Sequence, residues 1–123
     1  MIELQVEFVY GHDIRPLHHP PAESITVAGV MHALSDPVRL SIVAELRKAE
    51  DGLNCVETTS RLKCAMPKST CSQHYRILRE SGVIQSERRG VELTSRVRRK
   101  ELDARFPGLL DTILKAWKRE QEG

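Results

Sequence analysis

Aromatic side chains are nearly missing from these 123 residues, at 4% of the chain. Any core must therefore be assembled from Leu, Ile, Val and Ala. Long apolar runs are missing too. No stretch approaches the roughly 20 residues needed to cross a bilayer, and residues 1–7 lack the basic start and apolar run of a signal peptide. Cysteine is scarce and odd in number, three in all, which argues against a disulfide framework and suits a reducing compartment. Nor is there a Gly-rich phosphate loop, an HExxH or a GxSxG. Ser72 and His74 lie two apart on one helical pattern and do not face each other. These absences predict a cytoplasmic protein with no membrane partner, no cofactor and no enzymatic activity. A chain of this length is one domain by the usual prior.

What is present is concentrated in residues 66–84. At helical spacing Cys71, Tyr75 and Leu78 form an apolar stripe at i, i+4, i+7, which requires a core to pack on. Ser69, Ser72, Gln73 and Arg76 form a second face that carries no acidic residue. Short hydroxyls, an amide and a guanidinium are the groups that meet phosphate oxygens and base edges. Pro67 suits the first helical turn, and Gly82 sits where a left-handed C-terminal cap belongs. A helix that presents this face looks like a DNA-reading helix.

The remaining pattern places this helix in a winged helix-turn-helix. Residues 1–23 read as an arm: Leu4, Val6 and Phe8 alternate with polar residues, and His18-His19-Pro20-Pro21 enforces extended chain. The domain proper spans 24–123. Val27, Val30, Met31 and Leu34 make a first helical stripe, capped by Ser24 or Thr26. Asp36-Pro37 opens a second helix, with Val38, Ile42, Val43 and Leu46 on its buried face. Asn54 followed by Glu57 reads as the capping box of a short third helix reaching about Leu62. After Gly82 the period falls to two, and residues 83–88 and 91–97 flank Arg89-Gly90 as a β-hairpin. Leu110, Ile113, Leu114 and Trp117 then form a last helical stripe beyond the break at Pro107-Gly108. The fold class is mainly α with a small β-hairpin. The formal net charge is only +2, but Arg88, Arg89, Arg96, Arg98, Arg99 and Lys100 cluster on and after the hairpin, against Glu87 and Glu92 nearby. That cluster is a strip able to face phosphate.

Two segments carry a family resemblance. Ala33-Leu34-Ser35-Asp36-Pro37-Val38-Arg39-Leu40-Ser41-Ile42 resembles the opening signature of the ArsR family of bacterial winged-helix repressors. The run from Lys68-Ser69-Thr70-Cys71-Ser72 to Glu80-Ser81-Gly82-Val83-Ile84 resembles that family's recognition segment. The similarity spans about residues 25–120. It implies a homodimer joined through the first and last helices, bound to a palindromic double-stranded operator and released by a signal. Because the Val27/Val30/Met31/Leu34 and Leu110/Ile113/Leu114/Trp117 stripes exceed what a small winged domain needs, they form the expected dimer seam. Two copies would then set their reading helices roughly 34 Å apart in successive major grooves. Ser69, Ser72, Gln73 and Arg76, with His74 at the edge, are the expected base-edge contacts. Lys68 and Thr70 are expected on phosphate at the helix N-terminus, and Arg88 and Arg89 on the backbone from the wing.

Many members of that family sense metals, yet the resemblance breaks where their ligands stand. The family's Cys-Val-Cys triplet reads Cys55-Val56-Glu57 here, so a soft-metal site would need the arm's His18 or His19. The last helix offers Asp103 and Asp111 but no histidine for the zinc-type site. No metal site is expected. Cys64 and Cys71 read as small apolar fillers, with oxidation of either as the alternative. Two readings stand beside the repressor: a winged helix that binds only protein, and a thiol- or metal-responsive repressor using Cys55 with the arm or Cys64 and Cys71. The effector, if there is one, is not legible in the sequence.

Overall fold

The computed structural model describes residues 17–49, 52–54, 57–58 and 66–123. The expected arm strand, Cys55, Cys64 and most of the expected third helix lie outside the described residues. After a 3-10 turn at Ala22–Ser24, five helices and three strands follow among these residues. They are α1 (Val27–Ala33), α2 (Pro37–Lys48), β1 (Leu53–Asn54), α3 (Lys68–Glu80), β2 (Ile84–Arg89), β3 (Glu92–Val97), α4 (Arg99–Arg105) and α5 (Leu109–Glu122).

Each helix start is set by its cap. The Thr26 hydroxyl accepts from the Gly29 amide at 3.0 Å. The Asp36 carboxylate accepts from the amides of Val38 and Arg39 at 2.8 and 3.1 Å, with Pro37 in the first turn. These bonds satisfy donors that a helix start leaves orphaned. The end of α3 is fixed as firmly. The Val83 amide donates to Leu78 O and the Gly82 amide to Arg79 O, both at 3.0 Å, the paired bonds of a Schellman cap. Gly82 holds φ at +87°, and a Cβ there would stand 2.5 Å from Cγ1 of the buried Ile25. Both conformation and space therefore demand glycine at this corner.

The hairpin pairs Ile84 with Val97 through to Arg89 with Glu92. Its two-residue turn is thus Gly90-Val91, one residue later than the sequence pattern indicated. The shift has a steric reason: it brings glycine (φ +66°) rather than arginine to the first turn position, where the primed hairpin turns need positive φ. β1 is a further departure. Asn54, expected to cap a helix, instead pairs with Thr94 of β3, giving a three-stranded sheet in the order β1-β3-β2. Two residues are too short a run for alternation to show. Helical geometry resumes at Glu57 and Thr58.

One core unites these elements. Ile42, Val43 and Leu46 of α2 meet Tyr75 and Leu78 of α3, with Val83 and Ile84 entering the wing, all nearly or wholly buried. Leu102 of α4 and Leu110 and Leu114 of α5 close the cluster. The arrangement leaves one long side of α3 in solvent, with the hairpin beside it.

Candidate nucleic-acid interface

Helix α3 is anchored from behind and open in front. Cys71, Tyr75 and Leu78 are its buried residues. Lys68, Ser69, Ser72, Gln73 and Arg76 are exposed, while Thr70 and His74 are half-buried. The expected polar face is therefore outward and continuous along the helix. Its N-cap is Pro67, and no side chain caps the first turn. Pro67 offers the opening amides of α3 no side-chain acceptor of its own, and phosphate is a natural external one.

The wing adds cations unevenly. Arg89 is exposed, with its Nε 3.4 Å from the Glu87 carboxylate, itself exposed. Arg88 is half-buried, because strand alternation turns it to the side of Ile84 and Ser86. Of the wider basic strip, Arg96, Arg99 and Lys100 are exposed. Arg98 is not part of it: at 8% exposure it donates to Pro20 O at 2.8 Å and pairs with Glu101 at 3.3 Å. It is a clasp between the N-terminal segment and α4.

Two groups to which the sequence pattern gave no supporting role stand behind this face. Arg39 carries a guanidinium and is only 7% exposed. Its Nε donates to Ala33 O at 2.7 Å and its Nη2 to His32 O at 3.4 Å, while Nη1 lies 3.3 Å from His74 Nδ1. The guanidinium thus ties the end of α1 to the edge of α3. Its signal was available: Arg39, Ile42, Val43 and Leu46 fall at i, i+3, i+4, i+7, and a cation on an apolar stripe needs buried partners. His19 is the second. Its Nε2 accepts from the Ser86 amide at 2.9 Å, fixing the residues before α1 to the wing strand. Burial holds its pKa below the ordinary 6.5. The nearby Arg79 and Arg98 and the neighbouring His18 add to that depression, and a hydrogen bond with the Leu17 backbone opposes it. Nε2 so engaged has no lone pair left for a metal unless the bond to Ser86 breaks. Among the described residues no group of three or more His, Cys, Asp or Glu could hold a metal ion.

The eight residues expected at a dimer seam are divided. Val30, Leu34, Leu110 and Leu114 already belong to the core of one protomer. Val27 and Met31 of α1 are 46% and 53% exposed, and Ile113 and Trp117 of α5 are half-buried. Helical stripes show which side is apolar, but not where the monomer core stops along it.

Known proteins share this arrangement. Residues 34–87, from the end of α1 through most of β2, match the family described as Helix-turn-helix domain. The HTH-type transcriptional repressor SmtB of Mycobacterium tuberculosis is 39% identical over 80 residues, 63% of this chain. The chain spans 56% of that relative's length. The HTH-type transcriptional regulator YceK of Bacillus subtilis is 31% identical over 86 residues, covering 70% of this chain and 84% of the relative. Among solved structures, an ArsR-like transcriptional regulator from Rhodococcus sp. RHA1 superposes with a TM-score of 0.51 at 25% identity. It covers 78% of this chain and 84% of its own.

Proposed function

Because the chain belongs to the ArsR family of winged helix-turn-helix transcriptional regulators, we propose that it is a sequence-specific DNA-binding repressor acting as a homodimer on a palindromic operator. The observation that carries this reading is the outer face of α3. Ser69, Ser72, Gln73 and Arg76 stand exposed without a carboxylate among them, on a helix whose other side is locked into the core. Short hydroxyl side chains let the helix backbone approach a groove. Gln73 can then pair bidentately with adenine and Arg76 with guanine. Lys68 and Thr70 beside the uncapped first turn fix the helix on phosphate, and Arg89 holds the backbone from the wing.

What one protomer leaves uncovered supports the dimer in this reading. Val27 and Met31 are large apolar residues exposed on α1, and Ile113 and Trp117 extend the apolar side of α5. Pairing these patches about a twofold axis buries them and supplies the second reading helix that a palindrome requires.

The test is a fluorescence anisotropy titration against the DNA upstream of the protein's own gene, with random-sequence DNA as the control, at physiological salt. Tighter binding to the upstream DNA, reduced by Arg76→Ala, is the expected result. Equal binding to both sequences, with Arg76→Ala without effect, would overturn the proposal. Sedimentation with and without Met31→Glu reads the dimer separately.

A further inference from the structure

We propose that His74 reads an acceptor atom on an operator base edge through its Nε2–H, and that Arg39 is the positioning residue that sets the histidine to do so. The inference rests on the DNA-binding reading above and deepens it. A guanidinium carries N–H donors only and never accepts a hydrogen bond. Arg39 Nη1 lies 3.3 Å from His74 Nδ1, so that contact is a hydrogen bond only when Nδ1 presents its lone pair. The ring is then neutral, with its single proton on Nε2. Arg39 has little freedom to do otherwise. Its other nitrogens are held by the carbonyls of Ala33 and His32 at the end of α1, the second of which also accepts from the Ser35 amide and hydroxyl.

The consequence concerns specificity. A histidine free to change tautomer offers a donor or an acceptor and tells bases apart poorly. His74 held as the Nε2–H form is donor-only on its outer nitrogen. It follows Gln73 on α3, about 100° further round the helix, so it stands at the edge of the polar face, and it is half-exposed there. A donor there matches purine N7, guanine O6 or thymine O4 in the major groove and rejects the cytosine and adenine amino groups. Buried Arg39 thus supports recognition without touching DNA.

Two measurements test this. In the free protein, long-range proton–nitrogen correlation of the His74 ring should show the Nε2–H tautomer at neutral pH. In Arg39→Met, which keeps the stem and removes the donors, it should show a mixture. A wild-type ring protonated on Nδ1, or a tautomer unchanged in Arg39→Met, would overturn the role of Arg39 whatever the protein binds. Selection from a random-sequence duplex library, with wild type, His74→Gln and His74→Phe, tests the reading role. Gln keeps both an acceptor for Arg39 and an outward donor, so it should enrich the wild-type motif. Phe should lose preference at one position per half-site and bind the wild-type motif roughly fivefold to tenfold more weakly, the size of one hydrogen bond. An unchanged motif with uniformly weaker binding means a phosphate contact and overturns base reading, as does unchanged binding by His74→Phe. If wild type itself enriches no motif, the DNA-reading function fails instead, and the tautomer result stands apart from that failure. His74 is half-exposed, and urea unfolding of each variant shows that the fold is retained.

Discussion

Helix α3 buries Cys71, Tyr75 and Leu78, and helix α5 buries Leu110 and Leu114. Each is thus pinned to the same core by one stripe, and the two differ in what they turn outward. Both outer faces carry cations. On α5 these are Lys115, Lys118 and Arg119, all exposed and mixed with Glu120 and Glu122. On α3 no carboxylate interrupts the face from Lys68 until Glu80. Moreover, beyond Lys68 its groups are short or planar, where two of the three cations on α5, Lys115 and Lys118, are long ammonium stems. Net charge is part of the difference: Lys68, Arg76 and Arg79 stand against Glu80 alone on α3, whereas Lys115, Lys118 and Arg119 are balanced by Asp111, Glu120 and Glu122 on α5. Reach and geometry add to it: hydroxyls that allow close approach, with an amide and a guanidinium on the same face able to make paired hydrogen bonds.

The shared half of the comparison should break with the largest effect. Leu78 is wholly buried, and Leu78→Ala should cost about 2–5 kcal/mol in urea unfolding, from lost transfer energy and the cavity left behind. Leu114→Ala, at 5% exposure, belongs at the lower end of that range. A loss under about 1 kcal/mol for Leu78→Ala would mean that α3 is not held from behind as described. The corner after α3 comes next. Gly82→Ala meets both an unfavourable φ and the side chain of Ile25, so a loss of roughly 1–3 kcal/mol is expected, measured in the same titration.

The differing half is probed on DNA. Arg76→Ala should weaken binding to the preferred sequence by about 1–3 kcal/mol and relax discrimination at one position per half-site. Lys115→Ala and Lys118→Ala on α5 should leave discrimination unchanged. A similar loss from both helices would erase the distinction drawn here. Arg89→Ala is a smaller change of another kind. It should weaken all sequences alike and lower the dependence of binding on salt by roughly one counterion per protomer. The Glu87 carboxylate beside Arg89 already offsets part of that charge.

Much of this was legible in the chain. The stripe at Cys71, Tyr75 and Leu78, the Asp36-Pro37 start and the Gly82 stop are local signals. In each, one residue type does what its neighbours cannot, and the structure forms each where the pattern placed it. What escaped the pattern depends on partners distant in sequence. β1 exists because Leu53 and Asn54 find Ser95 and Thr94. Arg98 belonged by charge to the basic strip, yet the carbonyl of Pro20 draws it inward. Arg39 is a support because the carbonyls of α1 end beside it. The candidate site followed the same rule. Exposure of α3 was readable from period alone, whereas the division of the α1 and α5 stripes between core and surface was not. That division depends on where Val30 and Leu114 meet Ile42 and its neighbours, and no single helix records it.

The comparison sharpens at its smallest expected effect, on two histidines that both accept a hydrogen bond. His74 accepts from a guanidinium on the face of α3, and His19 accepts from the Ser86 amide on the wing. Burial, aided by Arg79, Arg98 and His18, disfavours protonation of His19 and sets its pKa below 6.5 in the folded protein. The unfolded chain therefore binds the extra proton more readily. By linkage, this contribution to stability is fully present above pH 6.5 and is lost as pH falls through the lowered folded value. Protonation also removes the lone pair that holds Ser86, so the N-terminal segment should loosen from β2 over the same window. Exchange protection of the Ser86 amide, corrected for its intrinsic rate, should fall there in the wild type. In His19→Gln, whose side-chain carbonyl still accepts but does not titrate, it should stay flat. Identical pH profiles for the two proteins would show that His19 does not control the attachment, leaving Arg98 on Pro20 as the contact that holds the segment in place.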